Sequence, residues 1–205
     1  MKKGWLFILV GLVAIIALYF LVYHNSKEKS VLAKVKPLEV TKNSGAFTQS
    51  FDSMMNAYYQ LHDAFVNWDT AQASQLSNAL AASISRLPVD QVKGDSAIVI
   101  TARSLAESAA GESEAIAAEP GIEEKRRSFY TLSEGLYNLA RTVKYDGAVL
   151  YHVNCPMAFN DNEEAFWLSR ENKVVNPYLG NKHPKYKNAM MNCGEVKDSI
   201  DFTKK

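Results

Sequence analysis

Five sulfur atoms are concentrated near the C-terminal end of this 205-residue chain, at Cys155, Met157, Met190, Met191 and Cys193. They fall in two short stretches, HVNCPMAFN from His152 and AMMNCGEV from Ala189, which between them hold both cysteines of the chain. Thiolate and thioether are soft donors, and sets of them select Cu(I) or Ag(I) over Mg or Ca. Cys155, Met157, Met190 and Cys193, with His152 and His183 nearby in sequence, therefore form a candidate ligand set. Zinc is less expected. Cys155, Cys193, His152 and His183 are the right residue types for it, but no paired C-x-x-C is present. The same two cysteines, 38 positions apart, could instead close a disulfide. In the loop-entropy account that bond would contribute about 4 kcal/mol. A third reading is plain packing, with methionine filling gaps beside Phe159, Trp167 or Tyr178 and the thiols buried and free. Residue types alone leave all three open.

The compartment follows from the first 23 residues. Lys2 and Lys3 precede an uncharged run from Gly4 to Tyr23. Twenty helical residues reach about 30 Å, the thickness of a bilayer hydrocarbon core. The run is longer than a signal-peptide core and ends in Leu-Val-Tyr-His without a small-residue cleavage site. Residues 1–23 are accordingly expected to be a transmembrane anchor, with cleavage as the alternative. The positive flank places the rest of the chain outside the cytoplasm, in the periplasm of a cell envelope. Such a compartment permits a disulfide. Setting Lys2 and Lys3 aside leaves 21 basic residues against 22 acidic ones. That balance supplies no electrostatic footprint for nucleic acid.

The elements that must position the sulfurs come next along the chain. Residues 24–44 are polar and lysine-rich with Pro37 among them, and read as a linker. Residues 45–147 carry four helical patterns. Phe47, Phe51, Met54, Met55, Tyr58, Leu61 and Phe65 share one helical face. Asp69 and Gln72 form a capping box that opens a second helix with Leu76, Leu80, Ile84 and Leu87 inward, ended by Pro88. Asp95 or Ser96 opens a third, through Ile98, Ala102, Leu105, Ala109 and Ile116 to Pro120-Gly121. The fourth carries Ile122, Phe129, Leu132, Leu136, Leu139 and Val143. The expected fold is mainly α: an antiparallel four-helix up-and-down bundle with a small irregular or β C-terminal appendage over 148–205. In that appendage AVLYHVNC reads as a strand, EEAFWLS as a strand or a helical turn, and NPYLG as turn chemistry.

No metalloprotease, serine-hydrolase, phosphate-loop or EF-hand pattern occurs, and no nucleophile–base set is visible, so an enzyme is not expected. Glu163 and Glu164 read as a solvated turn. Arg126 and Arg127, with Glu123 and Glu124, read as an exposed helix face.

The segments CPMAFNDNEEAFWLS, VVNPYLG and MMNCGEV together resemble a domain-of-unknown-function family of exported bacterial proteins. Its pattern runs CPMA, A-x-WLS, NPY-x-G and M-x-x-CG-x-V. AYYQLHDAFVNWD and RRSFYTLSEGLYNLA fit the same family, so the resemblance spans roughly 45–200 with its specific part in the last fifty residues. The family's domain occurs alone or fused to periplasmic adaptor subunits of copper/silver-type heavy-metal efflux systems. The resemblance implies that Cys155, Met157, Met190 and Cys193 occupy its sulfur positions, that the metal is copper or a related soft ion, and that an efflux adaptor is a partner. The segment NKHPKYKNAM is longer than the family's step to the methionine, and it adds His183 and Met191 as further donors.

Overall fold

A computed structural model describes residues 42–204 together with Ile16, Leu18 and Tyr19. The chain divides into two compact units, residues 1–37 and residues 38–205. In the first, Ile16, Leu18 and Tyr19 are helical and exposed. The rest of the expected anchor, and the linker up to residue 41, lie outside the described residues. Among the described residues no helix is long and apolar enough to cross a membrane.

The second unit holds four helices: α1 (Gly45–Val66), α2 (Thr70–Ser85), α3 (Ser96–Ala118) and α4 (Ile122–Thr142). A short 3-10 turn, Val89–Gln91, follows α2. The strands β1 (Leu150–Phe159), β2 (Glu163–Ser169) and β3 (Glu195–Ile200) form one antiparallel sheet in the order β2-β1-β3. The chain is thus mainly α with a β appendage, and the starts read for α2 at Asp69 and for α3 at Asp95 or Ser96 match the structure. Ser44 caps α1 by accepting from Phe47 N, and Asp69 caps α2 by accepting from Gln72 N. Asn43, assigned to the linker, is instead buried and donates to the carbonyls of Val143 and Lys144 at the end of α4.

Successive helices pack on one another, and the aromatic stripe of α1 closes the set against α4. Tyr58 and Phe129 stack at 5.1 Å between ring centroids, and Phe65 tilts onto Phe129 at 4.9 Å. Each such side chain contributes about 2–3 kcal/mol on burial. All seven residues of the expected α1 stripe are buried. On α2 and α3, Leu76 and Leu105 are only partly so, because small residues leave those helices a shallower face.

The sheet is joined to the helices by one buried hydroxyl. Ser133 Oγ donates to Phe129 O, so Tyr58 Oη donates to Ser133 Oγ at 2.7 Å and accepts from Leu168 N at 3.0 Å. That contact satisfies an amide on the outer edge of β2, where no further strand can. Strand β1 runs through CPMAF, and its pairing with β2 shifts register between Cys155 and Phe159. Pro156 lies within that irregularity, which is where an interior strand can tolerate a missing amide donor.

Two expectations about charged residues are corrected. Glu163 and Glu164 are strand residues that open β2, although exposed; Glu163 pairs with Arg127 at 2.9 Å and Glu164 accepts from Asn154. Arg127 is exposed and pairs with Glu123 one turn away, but Arg126 is buried, as is Lys125 beside it. Lys125 Nζ donates to Ile116 O at 2.6 Å and to Ser74 Oγ at 2.8 Å, capping the C-terminal end of α3. Arg126 donates from Nη2 to Phe65 O and from Nε to Pro177 O, both at 2.9 Å, capping the end of α1. Helix C-termini present unpaired carbonyls and negative partial charge, so these two cations have a reason to be inside.

Candidate functional site: the Cys155–Cys193 pair

Cys155 lies in the middle strand, where it pairs with Ala165 of β2, and is fully buried. Cys193 lies just before β3 and is half-buried. Their sulfurs are 3.1 Å apart and both cysteines are free. A disulfide requires about 2.05 Å, so the pair is in contact without being bonded.

What holds Cys193 there is a set of backbone anchors centred on Asn176, which is fully buried. Asn176 Nδ2 donates to Cys193 O at 2.8 Å, and its backbone amide donates to Met191 O at 2.7 Å. Its Oδ1 accepts from the amides of Tyr178 and Leu179. One side chain therefore shapes the NPYLG turn and moors the cysteine loop to it. The second anchor is Gly194, at φ +134, a conformation that L side chains rarely adopt. A Cβ there would come within 2.4 Å of Asn154 O and 3.2 Å of the Trp167 ring. Cys193 reaches Cys155 because glycine lets the chain run this close to β1.

Burial, with the neighbouring Cys155 thiol second, pushes the Cys193 thiol up to about 12. At neutral pH it is protonated, so it is a poor nucleophile and binds metal only by releasing a proton. Met157 and Met190 are partly buried and pack against the same core as the two cysteines.

The histidines do not join this group. His152 sits between the rings of Tyr137 and Phe166, at 4.0 and 4.7 Å between centroids, with Nε2 on Glu134 Oε1 at 2.7 Å. His152 and Cys155 are an odd number of residues apart on β1, so the pleat sends them to opposite faces. His183 Nδ1 accepts from the amides of Lys185 and Tyr186, and its ring lies edge-on to Trp68. Among the described residues no three or more His, Cys, Asp or Glu side chains converge in a way that could hold a metal ion. The four-ligand zinc set of Cys155, Cys193, His152 and His183 is therefore not assembled. The two thiols are what the fold is seen to bring together, and thiolates are soft donors.

Asn176 and Gly194 were not singled out by the sequence reading. Asn-Pro does signal a side chain able to bond amides two and three residues on, which is the role Asn176 plays toward Tyr178 and Leu179.

With the helices and the thiol pair described, the chain can be set beside known families. Residues 54–146 match the family model described as "Protein of unknown function (DUF3347)". No curated protein and no solved structure matches the chain. The matched segment runs from within α1 to just past α4 and ends before β1. It therefore covers the helices, not the last fifty residues that the motif resemblance made its specific part.

Proposed function

We propose that this chain is a membrane-anchored module of the cell envelope whose Cys155–Cys193 pair binds a soft ion such as Cu(I) or Ag(I). The observation that carries the reading is the convergence of the only two thiols, 38 residues apart in sequence, to 3.1 Å. On this reading Cys155 and Cys193 hold the ion as thiolates, Met157 and Met190 supply thioether donors, and binding releases protons. The neighbouring loop, moored at Asn176, sets how far the sulfurs can separate. Residues 1–23 hold the module at the membrane with the domain in the periplasm, and a heavy-metal efflux adaptor is the partner the motif resemblance suggests. The helices are read as an antiparallel up-and-down bundle. Short connections support this, as does the way Lys125 and Arg126, at the start of α4, reach the ends of α3 and α1.

The test is a Cu(I) titration of the reduced full-length protein against a competing chelator. Affinity below about 1 μM, falling at least tenfold in Cys155→Ser, is expected. Equal affinity in the wild type and the variant removes the site.

A second reading is favoured by the same contact: a structural or protein-interaction domain stapled by a Cys155–Cys193 disulfide. Tetrahedral thiolate coordination at the zinc distance spaces two sulfurs by about 3.8 Å, so 3.1 Å lies between a bonded pair and a metal-bridged one. This reading predicts a mass two hydrogens lower before reduction, no metal uptake, and a large drop in melting temperature on reduction.

A further inference from the structure

A cleft of about 430 Å³ opens at the C-terminal end of α1, against the hairpin that joins β1 to β2. Trp68, Phe159, Tyr178 and His183 line it with aromatic surface, Ala158 lies in its wall, and Arg126 supplies its only buried charge. Arg126 is 3 % exposed, and its guanidinium lies 3.9 Å over the Trp68 ring and hydrogen-bonds neutral carbonyls. No described carboxylate pairs with it: Glu123 and Asp161 at the rim are engaged by Arg127 and Lys185. A buried cation with carbonyl partners alone is less compensated than one facing a carboxylate. Burial draws it down, to about 9, yet it remains charged at neutral pH.

A second observation, independent of charge, points to the same place. Trp68 follows α1 with φ 60, a left-handed position that glycine normally fills at a helix end. A bulky side chain held there costs about 1–3 kcal/mol, and such strain gathers at binding sites. Its indole nitrogen donates to Leu179 O at 2.9 Å, and the ring stands between Arg126 and His183. The facing lip is equally fixed. Asn160 and Asp161 are both at positive φ, and Asp161 is bonded by Lys185 and by Tyr186 Oη. The walls are thus preformed, with the apolar lining and few polar groups typical of small-molecule sites.

We propose that this cleft binds a small organic carboxylate with an apolar body, the carboxylate meeting Arg126 and the body lying among Trp68, Phe159 and His183. An ammonium ligand would meet a like charge at the floor, and a neutral one would make no ionic contact with the guanidinium. The assignment does not depend on the cysteine pair.

The probes are phenylacetate, 2-phenylethanol and phenethylamine, titrated calorimetrically into the full-length protein in detergent. Phenylacetate should saturate and bind at least tenfold tighter than the alcohol or the amine. Ala158→Leu, which fills the wall, should abolish that binding in protein that still unfolds in one cooperative transition, at a lower melting temperature because Ala158 is buried. If Ala158→Leu does not fold, Pro184→Trp blocks the cleft from its exposed lip and serves instead. Equal binding of the three compounds, no saturation below about 10 mM, or unchanged phenylacetate binding in a folded blocking variant overturns the proposal.

Discussion

Replacing Asn176 by alanine isolates the device that brings the two thiols together. Its side chain satisfies three backbone groups: the buried amides of Tyr178 and Leu179, and the half-buried carbonyl of Cys193. Alanine fits the space but orphans all three. A buried polar group left without a partner costs about 1–3 kcal/mol, and the carbonyl, nearer solvent, costs least because water can reach it. The expected loss is about 3–5 kcal/mol, a large share of the roughly 5–15 kcal/mol of a typical domain. Urea unfolding under reducing conditions measures it without interference from a disulfide. The second readout is local. Freed from Cys193 O, the loop should hold its thiol near Cys155 less of the time, so oxidised glutathione should close the disulfide more slowly. Asn176→Asp supplies the control. Its carboxylate still accepts from both amides but cannot donate to Cys193 O, and its buried charge raises its folded-state pKa. A raised acid stabilises the fold below its unfolded value of about 4 and loses that contribution as pH rises. This variant should therefore recover toward wild type on acidification, whereas Asn176→Ala should not. An alanine variant within 1 kcal/mol of wild type, with unchanged oxidation rate, would refute the mooring argument.

Two further outcomes follow from buried groups. Lys125→Met keeps the volume of the side chain but removes the donor to Ile116 O and Ser74 Oγ; about 2 kcal/mol should be lost, read as a fall of about 4–8 °C in melting temperature. Above neutral pH the fold should weaken. Cys193 is raised from 9.0 to about 12 by burial and Cys155, so its stabilising contribution is complete below about pH 9 and is lost between 9 and 12. The buried phenol of Tyr58, raised well above its usual value by burial, acts in the same direction from about pH 10. Urea midpoints between pH 8 and 11 should fall, less steeply in Cys193→Ser; a flat profile contradicts the burial of these groups.

The helices were legible because their signals are local. A seven-residue apolar stripe predicts α1, and Asp69 with Gln72 marks the start of α2 within one residue. The sheet was half legible: AVLYHVNC reads as the strand β1 and EEAFWLS as either a strand or a helical turn, while β3, EVKDSI, has too little apolar alternation to announce itself. What local reading could not supply was the environment of a charge. Lys125 and Arg126 sit in the charged run Glu-Glu-Lys-Arg-Arg, residues 123–127, which on an isolated helix would face water. Their burial is set by where the ends of α1 and α3 fall, which is a tertiary fact. His152 misled for the opposite reason: closeness in sequence suggested a shared site, and strand alternation separates the two residues.

The extent of the family match bears on which evidence can decide function. It covers residues 54–146, the segment that builds the helical body, and stops before either cysteine. Whatever is learned of proteins that share that segment speaks to the scaffold, and to Lys125 and Arg126, but not to the thiol pair. The pair depends on chain beyond the match: the irregularity at Pro156, the Asn176 turn and the φ that Gly194 alone supplies. Arg126 connects the two regions, since its donors bind Phe65 O inside the matched segment and Pro177 O outside it. A change in how α4 meets α1 therefore displaces the turn that moors Cys193. The separation of the sulfurs is thus set jointly by helix packing and by three residues of the appendage, and a measurement on isolated 148–205 peptide would not report it.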